Sequence, residues 1–207
     1  MTLNRHSEKV LCVRVLLIIL ILLFNLQSLT KADDIRDFEI EGISIGDSLL
    51  DHFNKEIIDK KSSALYPNKD MLAATFRTNS FDIFEEMQFH WLANDKYYII
   101  QSISANIDFP NDISKCLEKR KSINNDVKLL FNDADEDDWG KRALMNVDPT
   151  GETFAYQNIY YLNNGNIIVS CRDFGINEEK NKGFKDYLAI MLDSKIFDDW
   201  INNKAWD

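Results

Sequence analysis

Apolar positions along this chain follow three patterns, and their order predicts a fold. A run of ten residues, 15–24, is apolar throughout. Beyond residue 35 short alternating stretches predict strands, and longer stretches with apolar residues three and four apart predict helices. A strand is expected at 36–41 and a helix at 44–60, with Leu49, Leu50, Phe53 and Ile57 as its buried stripe. After the linker SSALYPNK, a strand is expected near 71–78, then a long hairpin of 84–93 and 97–109 around the turn NDK. Met87, Phe89 and Trp91 share one face of the first arm. Tyr97, Ile99, Ile103, Ala105, Ile107 and Phe109 share one face of the second.

A second helix is expected at 112–131, with Ile113, Cys116, Leu117, Ile123, Val127, Leu130 and Phe131 at helical spacing. A second hairpin, 153–162 and 166–174, turns at NNG, and a strand at 187–192 precedes a final helix at 194–203. A helix followed by three strands therefore occurs twice. The expected architecture is α+β, two layers, with antiparallel sheets carrying their helices on one face. The expected domain covers 33–207 and is built as two tandem helix-plus-three-strand units, 33–110 and 111–207.

The apolar run at 15–24 changes the picture of the mature chain. Arg5, Lys9 and Arg14 precede it, and Thr30 and Ala32 follow at the spacing a signal peptidase accepts, so 1–32 read as a leader cleaved after Ala32. A spanning helix needs about 20 apolar residues, and extending the run back to Val10 would bury Arg14. Cys12 lies before the run, where a lipid-attachment cysteine would not be. Cleavage leaves 20 basic against 33 acidic side chains, a net charge of −13. That charge disfavours nucleic acid and anionic lipid as partners. The expectation is an exported monomer, periplasmic or extracellular, without membrane insertion.

Export leaves two cysteines, Cys116 and Cys171, in an oxidising compartment, where a disulfide is the default. Cys116 falls in the helix stripe, and Cys171 shares strand parity with Ile167 and Val169, so both point to one layer interface. The segment EGISIGDSLLDHF resembles the strand, glycine turn and capped helix that open the small-protein-A type outer-membrane assembly lipoproteins. Together DIRDFEIEGISIGDSLLDHF, NDISKC and IIVSCRDF are similar to a group of exported bacterial proteins of uncharacterised function. That resemblance implies export and carries no activity with it.

Candidate chemistry is thin. GISIG, 42–46, matches the G-x-S-x-G of serine hydrolases, with Ser44 at the nucleophile position. Its template needs earlier strands for the oxyanion loop and a late histidine, and the last histidine here is His90. The alternative makes Gly42 a chain reversal, Ser44 a helix N-cap and Asp47 the carboxylate that receives a free amide. His52 and His90 are expected at the surface, too isolated for a zinc site. In NDADEDDWG, Asp133, Asp135 and Asp137 alternate as calcium loops begin, but Asp138 stands where glycine is needed and Leu144 where glutamate is needed. A solvated charge run explains the same residues. Tyr156 and Tyr160 lie on a strand with aromatic rings on both faces, one of which is a candidate recognition surface. These residues point to a non-catalytic envelope binding protein with no cofactor, whose partner is an envelope protein or a small ligand. The alternatives are a hydrolase using surface carboxylates or Ser44, and a structural envelope component with calcium at 133–138.

Overall fold

Two long hairpins with strict alternation supply most of the sheet. The computed structural model describes residues 34–77 and 81–207, so the expected leader lies outside the described residues. The α+β architecture is present, and the described residues form four α-helices, a two-stranded sheet and a seven-stranded sheet, both antiparallel.

The first residues differ from expectation in an instructive way. In place of a strand at 36–41, a 3-10 turn at Ile35–Asp37 is capped by the Asp34 side chain. A short hairpin of β1 (Glu39–Ile40) and β2 (Ile43–Ser44) follows. Glu41 and Gly42 both have positive φ, 56° and 73°, as a tight two-residue hairpin turn requires. The helix expected at 44–60 is broken in two. Ser48 caps a 3-10 turn at Leu49–Asp51, and Asn54 caps α1 (Lys55–Lys61). Each cap takes an amide with its own side chain and restarts the chain direction, which overrides the continuous stripe. Leu49 and Ile58 are still fully buried.

The seven-stranded sheet contains β3 (Met71–Phe76), β4 (Glu86–Leu92), β5 (Ser102–Asp108), β6 (Asp135–Ala143), β7 (Phe154–Leu162), β8 (Gly165–Asp173) and β9 (Tyr187–Ser194). Their spatial order is β3-β4-β5-β9-β8-β7-β6. The last strands of the two expected halves, β5 and β9, therefore meet at the centre of one sheet. The second half also carries an extra edge strand, β6, where the sequence reads as an acidic loop. Its backbone pairs with β7 through a bulge between Asp138 and Gly140. Charge hid this pairing, because an edge strand whose side chains all reach water has no apolar alternation to reveal it.

One face of the sheet is the main core. Met87, Phe89 and Trp91 of β4 meet Ile103 and Ala105 of β5, Leu188, Ile190 and Leu192 of β9, and Ile167, Val169 and Cys171 of β8. Helix α2 (Ile113–Leu130), capped by Asp112, lies over β8 and β9 and buries Cys116 and Val127 on this face. The Cys116–Cys171 disulfide ties helix to sheet, with Cα atoms 6.0 Å apart and a sequence separation of 55. Closing a loop of that length stabilises a domain by about 4 kcal/mol in the chain-entropy model.

The expectation that all helices share one face is not met. Short α3 (Ile176–Lys182) precedes β9, and α4 (Lys195–Asn203) begins directly where β9 ends. Ser194 caps α4, accepting the Phe197 amide at 3.1 Å and donating to Gln101 at 2.9 Å. Phe197 lies 4.7 Å from His90, ring to ring, and His90 points away from Phe89 and Trp91. Helix α4 thus covers part of the opposite face, where Phe197 and Trp200 form a small second core with Met71 and Ala205. Among the described residues no helix is long and apolar enough to cross a membrane.

Candidate ligand groove

Strand register builds the site. In an antiparallel sheet, residues directly opposite one another project to the same face. His90 of β4 pairs with Ser102 of β5, Ser102 with Asp193 of β9, and Asp193 with Asn166 of β8. Asn166 in turn pairs with Tyr161 of β7. A polar row therefore crosses five strands on the face opposite the main core. One step along the strands, Ser104, Met191, Ile168 and Ile159 make a second, more apolar row.

Helix α4 covers only one end of this face, so a groove of about 450 Å³ remains beside it. Asp198, Ile201 and Phe197 form the helical wall, Tyr66 lies at one end, and Trp139 and Tyr161 lie on the β7–β6 side. The Trp139 indole donates to Asp137 at 2.8 Å and carries the Arg142 guanidinium 4.3 Å from its ring centre.

The floor is buried yet incompletely paired. His90 is 4 % exposed, Asn166 3 % and Asp193 7 %. Among the described residues, neither ring nitrogen of His90 has a hydrogen-bond partner, and neither does Asn166 Oδ1. A buried polar group left without a partner costs about 1–3 kcal/mol, and where it lies beneath a groove an ordered water or a ligand can complete it. Burial pushes the His90 imidazole down to about 4, which keeps it neutral, with one donor and one acceptor nitrogen. Burial also pushes the Asp193 carboxyl up to about 7; a hydrogen bond from Ser102 opposes this and the Asp198 charge adds to it. Tyr66 is raised by burial and then by the Asp193 charge.

A second hollow of about 460 Å³ lies at the other end of the same face, between Asn106 and Phe184. Its two cations are already matched within the protein, Arg77 with Glu86 and Lys185 with Asp108. Among the described residues its floor holds one unpartnered buried polar atom, Asn106 Oδ1, against three such atoms on His90 and Asn166. The first groove is therefore the better candidate.

The structure scatters the residues singled out from sequence. Ser44 sits in β2, not at a helix start; its hydroxyl donates to the Phe38 carbonyl at 3.4 Å and its amide to Asp47 at 2.8 Å. The carboxylate of Asp47 thus receives a free amide as expected, but across a hairpin exit. His52 lies 3.7 Å from that same carboxylate. His90 is not a surface residue; it is buried in the groove floor against Phe197 of α4. Asp135 and Asp137 belong to β6, with Asp133 in the turn before it, and strand geometry spreads the three along an edge that a calcium loop would have to wrap. Among the described residues no group of three or more His, Cys, Asp or Glu is placed to hold a metal ion.

Tyr160 is not on a recognition surface. It is 1 % exposed and its hydroxyl donates to Glu136 at 3.2 Å, under α2, where burial raises its pKa. Tyr156 is partly buried against the same core. Beside them Asn158 accepts from Arg120 and from Asn124, the latter at 2.6 Å, which anchors the helix over β7. The open face of that strand carries Gln157, Ile159 and Tyr161 instead.

Sequence reasoning missed Ser102, Asn166 and Asp193. The available signal was parity: each is a polar residue on the alternate face of a strand whose other face is mainly apolar. Only the register shows that they line up. Ser102, His90 and Asp193 do not form a nucleophilic triad, because the serine lies between the other two and the imidazole does not reach its hydroxyl.

No family model matches the chain, and no curated protein or solved structure is significantly similar to it. The class that fold and site define is an α+β protein with one disulfide-braced face and one open, polar-floored face.

Proposed function

We propose that this is an exported binding protein that seats a small ligand in the groove beside α4 and performs no chemistry on it. The observation that carries the reading is a floor of buried hydrogen-bonding groups, His90 and Asn166 above all, left unpartnered beneath an open groove. A ligand that satisfied them would recover the free energy lost by burying them. Ser102 is turned to the Asp193 carboxyl and Ser44 to backbone, so neither hydroxyl is held against an imidazole that could take its proton. The leader-like segment 1–32 and the disulfide support passage through an oxidising compartment, periplasmic or extracellular. The ligand partner is a small molecule or an extended side chain of an envelope protein.

Amide NMR against a panel of small neutral, cationic and anionic probes tests this reading. Binders are expected to shift Ser102, Asn166 and Met191. If every binder mapped instead to Asp108 and Phe184, the groove assignment would be wrong. Export is checked by the mass of the protein recovered from cells, whose first residue is expected to be Asp33.

A further inference from the structure

Resting on that groove, we propose that its ligand is a small organic cation, whose ammonium group is received by Asp193 and Asn166. These two residues face each other in register, on neighbouring strands, so a carboxylate and an unpartnered amide oxygen lie side by side on the floor. Both are acceptors, and an ammonium group brings up to three N–H donors. Among the described lining residues there is no lysine or arginine, while Asp193 and Asp198 are both acidic. Arg142 is held on the Trp139 ring and does not line the groove. The buried Asp193 therefore lacks a counter-charge that the ligand can bring, and an anion entering would meet two carboxylates. Aromatic residues Tyr66, Tyr161 and Phe197 line the surrounding walls, a setting that favours cations and their alkyl stems. His90 lies two strands from Asp193, about 10 Å along the polar row, and offers a second polar contact to an elongated ligand.

The groups facing Asp193 are Ser102 and His90 from β5 and β4, Asn166 and Tyr161 from β8 and β7, Asp198 from α4, and Tyr66. Of these His90 stays neutral near neutral pH, so Asp193 itself governs how binding changes there. Butylammonium, pentanol and butyrate, similar in length, are the probes, followed by amide NMR at pH 5.5 and 8.5. Butylammonium is expected to shift Ser102, Asn166 and Met191, to bind more than tenfold more tightly at pH 8.5, and to lose that gain in Asp193→Asn. Pentanol is expected to bind equally at both pH values and butyrate not at all. If pentanol or butyrate occupied the groove and butylammonium did not, the cation assignment would be overturned and the binding site would stand. If no probe perturbed the groove at either pH, both would fall.

Discussion

Asp193 and His90 oppose each other in their effect on stability, and separating them tests the picture of a buried polar floor. Asp193 has its carboxyl raised from 3.8 to about 7. Between those values the unfolded chain releases a proton that the folded protein keeps, so stability falls as pH rises through this window. At about 1.4 kcal/mol per unit the full effect is about 4 kcal/mol. His90 is lowered from 6.5 to about 4. As pH rises from about 4 to 6.5 the unfolded chain gives up a proton that the folded protein loses at lower pH, so stability rises, by about 3 kcal/mol in all. Across their shared window the two slopes nearly cancel. Asp193→Asn removes one and His90→Phe the other, with the phenyl ring retaining the packing against Phe197. Urea denaturation of all three proteins from pH 4 to 8.5 gives the difference curves. Relative to the parent, D193N is expected to gain stability with rising pH, reaching about 4 kcal/mol at pH 8. H90F is expected to gain about 3 kcal/mol at pH 4 and to lose that advantage above pH 6.5. If D193N followed the parent within 1 kcal/mol at every pH, Asp193 would be ionising freely in water and the floor would not be buried.

Three further outcomes follow from other parts of the molecule. Replacing both Cys116 and Cys171 by serine is expected to lower unfolding free energy by about 4 kcal/mol; a loss under 1 kcal/mol in urea melts would show that the crosslink contributes little. In Gly165→Ala a Cβ would lie 2.2 Å from the Asp193 carbonyl oxygen, a backbone clash, so a loss of about 2 kcal/mol or more is expected. An unchanged melting temperature would contradict that close approach. Ser44→Ala removes one long hydroxyl bond and no helix cap, so its cost is expected to stay within about 0.5 kcal/mol; a larger loss would restore a capping role for the serine.

Much of the fold was legible because the pattern and the end signals agreed. Helix α2 starts at Asp112, α4 at Ser194, and the β7–β8 hairpin turns at Asn163 and Asn164, as alternation and capping chemistry predict. The cysteine pair was legible for the same reason, since helix stripe and strand parity aimed both at one interface. Where residues 44–60 were expected to form one helix, two side-chain caps divided them, a local competition that apolar spacing does not register. Helix α3, with a single buried residue, Glu178, carries no apolar stripe to announce it. The groove was illegible for a different reason. His90, Ser102, Asp193 and Asn166 come from four strands, and the sequence does not state that β5 and β9 are neighbours. Until that pairing is known, each is a solitary polar residue in an apolar segment.

The acidic stretch at Asp135–Asp138 has a consequence for how copies of this chain meet. A strand at the margin of a sheet offers free amides and carbonyls to any other strand, its own duplicate included. A second copy docking antiparallel along β6 would set Asp135, Glu136, Asp137 and Asp138 near their own images, and the bulge at Gly140 would spoil the ladder beyond. At the other margin Ser63 already bridges Ala73 of β3. The run of carboxylates thus acts as an end stop, allowing a seven-stranded sheet to finish at β6 without inviting an eighth strand.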